Sequence, residues 1–238
     1  MSKMIEFLND EAKKNEIELS DIQLGRFQVY YDLLIETNKF LNLTAITEMH
    51  EVVLKHFIDS MMISKFYDLS DCSIIDIGTG AGFPGIPLAI LYPDSEFVLL
   101  DSLQKRLTFI DQVLKTCRIE NVSLIHGRAE DFAHDKMYRE QFDFCVSRAV
   151  AALPTLLELC IPFVKVGGLF VSYKSESVSE ELENAKNAME LLFCKFNRLD
   201  KYEISDLNIN RVYISFEKRK ELSKKYPRQA GKPKKNPL

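Results

Sequence analysis

The chain has 238 residues, 31 Lys+Arg against 35 Asp+Glu for a formal charge of −4, and 46% hydrophobic residues, enough for one large domain or one domain with an extension. No stretch reaches the roughly 18 uncharged apolar residues of a membrane span, and the acids within MSKMIEFLNDEAKKNEIEL exclude a secretory signal, so a cytoplasmic address is expected. The cysteines (Cys72, Cys117, Cys145, Cys160, Cys194) form no CxxC pair and the histidines (His50, His56, His126, His134) complete no ligand set, which predicts buried thiols in a reducing compartment and no metal.

Residues 1–70 read as a helical cap. Ser20 can cap a helix running to about Leu41, with Phe27, Tyr30, Tyr31, Leu34 and Leu41 on one stripe, and Thr47 can cap a second that carries Val53, Phe57 and Met61. From residue 71 short apolar runs alternate with amphipathic stretches. Strands are predicted at 73–77, 96–100, 122–126, 142–147, 169–173 and 211–217, with a weak one near 197–203. Helices are predicted at 85–91, 103–117, 153–160 and 179–193. This pattern specifies an α/β, doubly wound, Rossmann-like fold: a mostly parallel seven-stranded sheet with helices on both faces, closed by an antiparallel pair. The domain is expected to end near 217, because 218–238 hold a net charge of +8 against −12 on the rest. A basic tail on an acidic body suits a local polyanion contact, and its Lys/Pro/Gly composition predicts a mobile segment.

The segment IIDIGTGAGFPGIPLAI (74–90) is the most informative. A strand ends near Asp76, and Gly78, Gly80 and Gly82 follow before a helix begins, so the backbone can turn sharply and lie against a ligand at the edge where open α/β sheets bind one. From Gly80 the segment also satisfies G-x-G-x-x-G, with Gly85 its last glycine, the fingerprint of a dinucleotide. Two features favour S-adenosylmethionine. Asp76 ahead of the glycines suits a cationic amine and repels a pyrophosphate, and Phe83, Pro84 and Pro87 leave fewer N–H groups at the helix entrance for an anion. Asp101, followed by Ser102, closes the second strand where an acid can accept ribose hydroxyls. HGRAED then places Ala129 and Glu130 where an adenine edge would lie.

The fourth strand ends Phe144-Cys145-Val146-Ser147-Arg148-Ala149. It lacks the Asn/Asp-Pro-Pro-aromatic stretch of exocyclic-amine methylases, and Cys145 lies inside an apolar run, unlike a C5-pyrimidine nucleophile. A ring nitrogen such as guanine N7 is preferred, since its lone pair needs no general base. Arg148 could hold guanine O6 or a methionine carboxylate; its structural alternative is an ion pair with Glu130 or Asp131.

The set NLTAITEMHEVVLKHFIDS (42–60), DIGTGAGFPGIPLAI (76–90), DSLQKRLTFI (101–110), GRAEDF (127–132), SRAVA (147–151) and YPRQAGKPKKNPL (226–238) resembles the ribosomal RNA small-subunit methyltransferase G family. The likeness spans essentially the whole chain, with the motifs in order. It implies a class I methyltransferase fold and a bacterial enzyme that moves the methyl of S-adenosylmethionine to N7 of one guanine in 16S rRNA, free or within the small ribosomal subunit. It carries over cofactor contacts at Gly78, Phe83, Ala129, Glu130 and Arg148. The tail departs from the family's usual Arg-Lys-Pro-Gly, reading Arg228-Gln229-Ala230-Gly231. By the same resemblance His56 and Asp59 would roof the pocket beside the target base. The plainer alternative is helix packing plus a surface Lys55–Asp59 ion pair. For an rRNA substrate, Lys224, Lys225, Arg228, Lys232, Lys234 and Lys235 would neutralise phosphates. No coiled-coil or apolar stripe demands a partner, so a monomer is expected. An NAD-type oxidoreductase and a non-catalytic RNA-binding, ribosome-assembly module are the competing functions.

Overall fold

The computed structural model describes residues 2–148, 151–175, 178–204 and 209–238. Its sheet contains β1 (Ser73–Ile77), β2 (Glu96–Asp101), β3 (Val122–His126), β4 (Phe142–Arg148), β5 (Val164–Ser175), β6 (Cys194–Ile204) and β7 (Ile209–Lys218). The order is β3-β2-β1-β4-β5-β7-β6, parallel through β5, with β7 antiparallel to both neighbours. Successive strand residues face opposite sides of a sheet. Ile74 and Val146 accordingly join the core on one face, and Ile75, Ile77 and Cys145 the core on the other. Two covered faces explain the near-continuous apolar strands.

The chain begins with α1 (Lys3–Lys14) and α2 (Asp21–Leu41). Ser20 and Gln23 form a reciprocal capping box at the start of α2, and Asn42 ends the helix in the left-handed conformation. Leu24, Phe27, Tyr30 and Leu34 are its buried stripe, while Tyr31 and Leu41 are only partly covered. The next helical run starts at Glu48 rather than Thr47, because the Glu48 carboxylate accepts the Glu51 amide at 3.0 Å. It is not uniform: α3 (Met49–Val52) passes into a π-helical turn (Val53–Ile58), then α4 (Asp59–Met61) and a 3₁₀ turn (Met62–Lys65). Such π turns insert a residue into the helix and recur at functional sites.

Over the sheet lie α5 (Gly85–Leu91), α6 (Gln104–Cys117), α7 (Ala129–Phe132), α8 (Leu153–Cys160), α9 (Ser179–Asn184) and α10 (Lys186–Leu191). The helix expected over 179–193 is thus two short ones meeting at Ala185, and the single turn of α7 had no periodic signal to reveal it.

The C-terminal segment is docked, contrary to the mobile tail expected from composition. Leu222, Tyr226 and Pro233 are buried, and a last turn, α11 (Lys232–Lys235), lies against α8. Arg228 forms a forked pair with the fully buried Glu158 at 2.6–3.1 Å, and Thr155 donates to the Pro233 carbonyl at 3.1 Å. Composition predicted mobility because the lysines dominate it; three apolar anchors, the forked Arg228–Glu158 pair and Arg139, which donates to the Leu222, Ser223 and Tyr226 carbonyls, decide the packing instead.

Candidate active site

Four strand ends build one cleft. The turns after β1, β2 and β3 supply Gly78, Thr79, Gly80, Phe83, Asp101, Ser102, Ala129 and Glu130, β4 supplies Arg148, and the cap lowers Leu43, Thr44 and His56 onto the opening. Its volume is about 410 Å³, within the range of small-molecule sites.

The glycine loop owes its shape to close packing. A Cβ on Gly85 would lie 2.2 Å from a Leu99 methyl and 2.9 Å from Asp76 Oδ2, so the start of α5 can approach β2 only as glycine. Gly80, at φ +64°, has no protein atom within 4 Å of its Cβ position and leaves the loop open to a ligand. Beneath it Asp76 is fully buried; Oδ2 accepts the Gly85 amide at 3.0 Å, and Oδ1 has no hydrogen-bond partner. Burial lifts its pKa to about 6. Thr79 Oγ1 is likewise buried without a partner. Asp101 accepts from the Gly80 amide (2.9 Å), the Leu103 amide (2.8 Å) and Arg106 (3.2 Å), bracing the loop at the same time as it faces the cleft.

Asp59 organises the opposite end. It is 2% exposed; Oδ2 pairs with Arg148 at 2.8 Å, and Oδ1 takes the Tyr202 hydroxyl at 2.8 Å and Arg211 Nε at 3.2 Å. Tyr213 donates to the Asp59 carbonyl (3.1 Å) and Tyr173 to that of Ser60 (3.0 Å), so the helical run is fastened to β5, β6 and β7. Arg148 also donates to the Lys55 carbonyl (3.1 Å) and lies 3.4 Å from His56 Nδ1. A guanidinium has no acceptor, so Nδ1 is the bare nitrogen and Nε2–H points to Thr44 Oγ1 at 2.8 Å. The His56 ring stacks on Phe83, 4.4 Å between centroids.

Burial and the Arg148 charge lower the His56 pKa to about 3. The folded ring thus stays neutral where an unfolded histidine, titrating near 6.5, gains a proton. The stability that His56 contributes is complete above pH 6.5 and is lost as pH falls from there toward 3. We expect His56→Gln to narrow the difference between melting temperatures at pH 7 and pH 5; an unchanged difference would mean that the ring does not stay neutral.

The model of the rRNA small subunit methyltransferase G family (GidB) matches residues 23–210. The chain belongs to this family. The Ribosomal RNA small subunit methyltransferase G of Lachnoclostridium phytofermentans is 49% identical over 93% of this chain and 92% of its own length, and that of Clostridium novyi is 47% identical over 98% and 96%. Solved structures share the fold at low identity. M. jannaschii TYW2 in complex with AdoMet has a TM-score of 0.54 at 16% identity, covering 68% of this chain and 76% of that one. A SAM-dependent methyltransferase from Aquifex aeolicus has a TM-score of 0.52 at 15% identity, covering 69% and 92%.

Of the residues singled out from sequence, His56, Gly78, Gly80, Phe83, Asp101, Ser102, Ala129, Glu130 and Arg148 line the cleft of this family member. Asp76 and Gly82 lie behind the loop, and Asp59 lies behind Arg148. The Arg148 partner is Asp59, not Glu130 or Asp131, and Lys55 pairs with Glu51 rather than Asp59. Glu130 accepts the Gly231 amide at 2.8 Å, a contact from the docked C-terminal segment. Lys224, Lys225, Lys232, Lys234 and Lys235 are exposed, whereas Arg228 is engaged with Glu158. Of SRAVA, Ala149 and Val150 lie outside the described residues. Sequence reasoning missed Thr44, Arg106, Arg128 and Leu159 in the cleft and Tyr30 beneath it. Tyr30 donates to the Ala81 carbonyl at 2.7 Å; its place on the α2 stripe was visible, its polar end was not. Among the described residues no group of three or more His, Cys, Asp or Glu could hold a metal ion, and no helix is long and apolar enough to cross a membrane.

Proposed function

We propose that this protein transfers the methyl group of S-adenosylmethionine to N7 of one guanine in small-subunit rRNA, as a cytoplasmic monomer. The reading divides the chain into the cap (1–70), the cofactor-binding domain (71–217) and a basic RNA-binding segment (218–238). The cleft fits the cofactor. Asp101 suits its ribose hydroxyls and Glu130 its adenine edge, the open face at Gly80 leaves room for it, and the carboxylate of Asp76, buried behind the glycine loop, suits its amine directly or through a water. Family membership argues against the NAD-dependent and non-catalytic alternatives.

The observation that carries the choice of atom is the character of the groups at the Arg148 end. They are a guanidinium paired with Asp59, an imidazole with a pKa of about 3, a phenyl ring and a threonine. Among the described residues these groups are weak bases at neutral pH, and Cys145, the thiol on β4, is fully buried with its pKa pushed well up. A ring nitrogen with a free lone pair is the acceptor such a site can serve. When bound, S-adenosylmethionine supplies a methyl on a sulfonium centre, whose positive charge passes to the guanine without proton transfer. Arg148 can donate to guanine O6, Asp59 holds that guanidinium in place, and His56 stacked on Phe83 makes a flat apolar wall that excludes water.

Small subunits from a strain lacking this activity, incubated with labelled S-adenosylmethionine and protein, test the proposal. Borohydride and aniline then break the RNA at 7-methylguanosine. One new cleavage site is expected; label without cleavage would place the methyl on another atom, and no label would remove the methyltransferase reading. In the C-terminal segment the docking contacts include Leu222, Tyr226, Arg228, Gly231 and Pro233, while Lys232, Lys234 and Lys235 in its last turn are exposed and available to phosphates. Replacing Lys232, Lys234 and Lys235 together by Gln should flatten the slope of log affinity for small subunits against log salt by about 2, with cofactor affinity unchanged. An unchanged slope would exclude these lysines from the RNA interface.

A further inference from the structure

The cofactor residues occupy only half of the sheet edge, following β1, β2 and β3. The other half belongs to β4, β5, β7 and β6, beside the Arg148 end of the cleft. At that half a second pocket of about 210 Å³ opens between the β6 and β7 ends, lined by Lys201, Tyr202, Glu203, Asn210 and Arg211. Register puts it on the same edge as the reaction cleft, because Arg148 pairs with Tyr173, and two residues further along β5 Ser175 pairs with Arg211.

Arg211 has an unusual division of its donors. Its Nε is held at 3.2 Å by Asp59, its side chain is 28% exposed, and among the described residues its two terminal nitrogens have no hydrogen-bond partner. The same carboxylate holds Arg148 at 2.8 Å. One buried acid therefore orients two guanidiniums, one into the reaction cleft and one into the second pocket. A guanidinium fixed at Nε presents its outer edge as a two-pronged donor, the geometry that takes a phosphate through two parallel hydrogen bonds. Lys201 and Asn210, both exposed, add a charge and an amide donor; Glu203, on the same wall, opposes them.

We propose that Arg211, with Lys201 and Asn210, forms a phosphate subsite for a nucleotide flanking the target guanine, and that Asp59 sets the spacing between this anchor and Arg148. The assignment rests on the rRNA reading above. With the phosphate fixed on Arg211, the neighbouring base is delivered to Arg148 without a sequence-specific contact, since phosphate contacts position and base contacts specify.

The test is binding of the full-length protein to unmodified small subunits across a salt series at fixed magnesium, with cofactor affinity and melting temperature measured in parallel. Arg211→Gln keeps an amide donor for Asp59 and removes the charge. Its log–log salt slope should be shallower by about 0.7, the value for one single-strand phosphate, with affinity three- to tenfold weaker and cofactor affinity unchanged. Arg211→Lys should restore the slope, and Glu203→Gln, which removes the opposing acid, should tighten binding severalfold. A purely structural Arg211 would leave the slope of Arg211→Gln at its wild-type value, and that result overturns the subsite. Absence of small-subunit binding by the wild-type protein overturns the rRNA reading itself and the subsite with it, a pattern distinct from normal wild-type binding with unchanged slopes.

Discussion

Asp59→Ala should lower the melting temperature by roughly 6–12 °C and methyl transfer by at least about 100-fold. The carboxylate is the shared acceptor of Arg148, Arg211 and the Tyr202 hydroxyl, and it is 2% exposed. Removing one partner of a buried ion pair costs about 3–5 kcal/mol because the remaining charge stays behind without compensation. Arg148 and Arg211 retain some water access at 15% and 28% exposure, so the lower end, about 3 kcal/mol, is expected. For a domain of this size each kcal/mol moves the midpoint by about 2–4 °C. The loss of transfer has a separate cause: without Asp59, Arg148 keeps the Lys55 carbonyl, His56 and the Phe83 ring but no charged partner among the described residues, and small misplacement of an orienting group costs on the order of 100-fold in rate. Calorimetry together with single-turnover methylation separates the two effects. Near-normal transfer in a destabilised Asp59→Ala protein would show that Arg148 is not oriented through this acid. Asp59→Asn, which keeps the shape, should fall between variant and wild type in both measurements.

Asp76→Asn should have opposite effects on stability and on function. Burial raises the Asp76 pKa from 3.8 to about 6, so at pH 7 the folded protein holds a carboxylate in a site that disfavours its charge. A shift of about two units corresponds to roughly 3 kcal/mol at 1.36 kcal/mol per unit, an upper bound on the gain from neutralising it. The sign follows from the raised folded pKa: between pH 3.8 and about 6 the folded state binds the proton that the unfolded state has released, and stability declines as pH rises through that window. The asparagine oxygen can still accept the Gly85 amide. The variant is therefore expected to melt several degrees higher than wild type at pH 7, with the advantage gone near pH 4. Cofactor affinity should fall by tenfold or more, because the neutral amide no longer attracts the amine of S-adenosylmethionine. Titration calorimetry and melting curves at the two pH values check this, and unchanged cofactor affinity would remove Asp76 from the cofactor site. The same buried charge that the fold tolerates at a cost is the one the ligand is expected to use, a trade common at binding sites.

The legibility of this protein in its sequence divides along a physical line. Features set within a few residues were readable: the alternation that built β1 to β5, the Ser20–Gln23 cap, the glycines whose left-handed turn opens the loop at Gly80, and the acid that ends β2. The weak run near 197–203 and the return strand after it were readable as an antiparallel pair, since only a loop separates them. The placement of β7 between β5 and β6 was not, because strand order depends on which faces the helices cover. Composition misread the C-terminal segment, because the anchors Leu222, Tyr226 and Pro233 are few among lysines and their partners, Arg139 and Glu140 before β4 and Thr155 on α8, are distant in sequence. The helical run after Glu48 was legible as a helix but not as a π turn, since periodicity cannot register one inserted residue.

By itself the sequence determined the fold class, the ligand edge, the glycine loop with its acids and, through whole-chain resemblance, the family. Only the tertiary structure decided what each charged side chain does. Asp59 meets Arg148 across 89 residues and Arg211 across 152, separations at which no spacing rule operates. Local patterns specify elements because neighbouring residues share one backbone geometry. Charge pairing at the sheet edge is settled only when the cap, β4 and β7 are packed together and a single buried carboxylate must satisfy every donor within its reach.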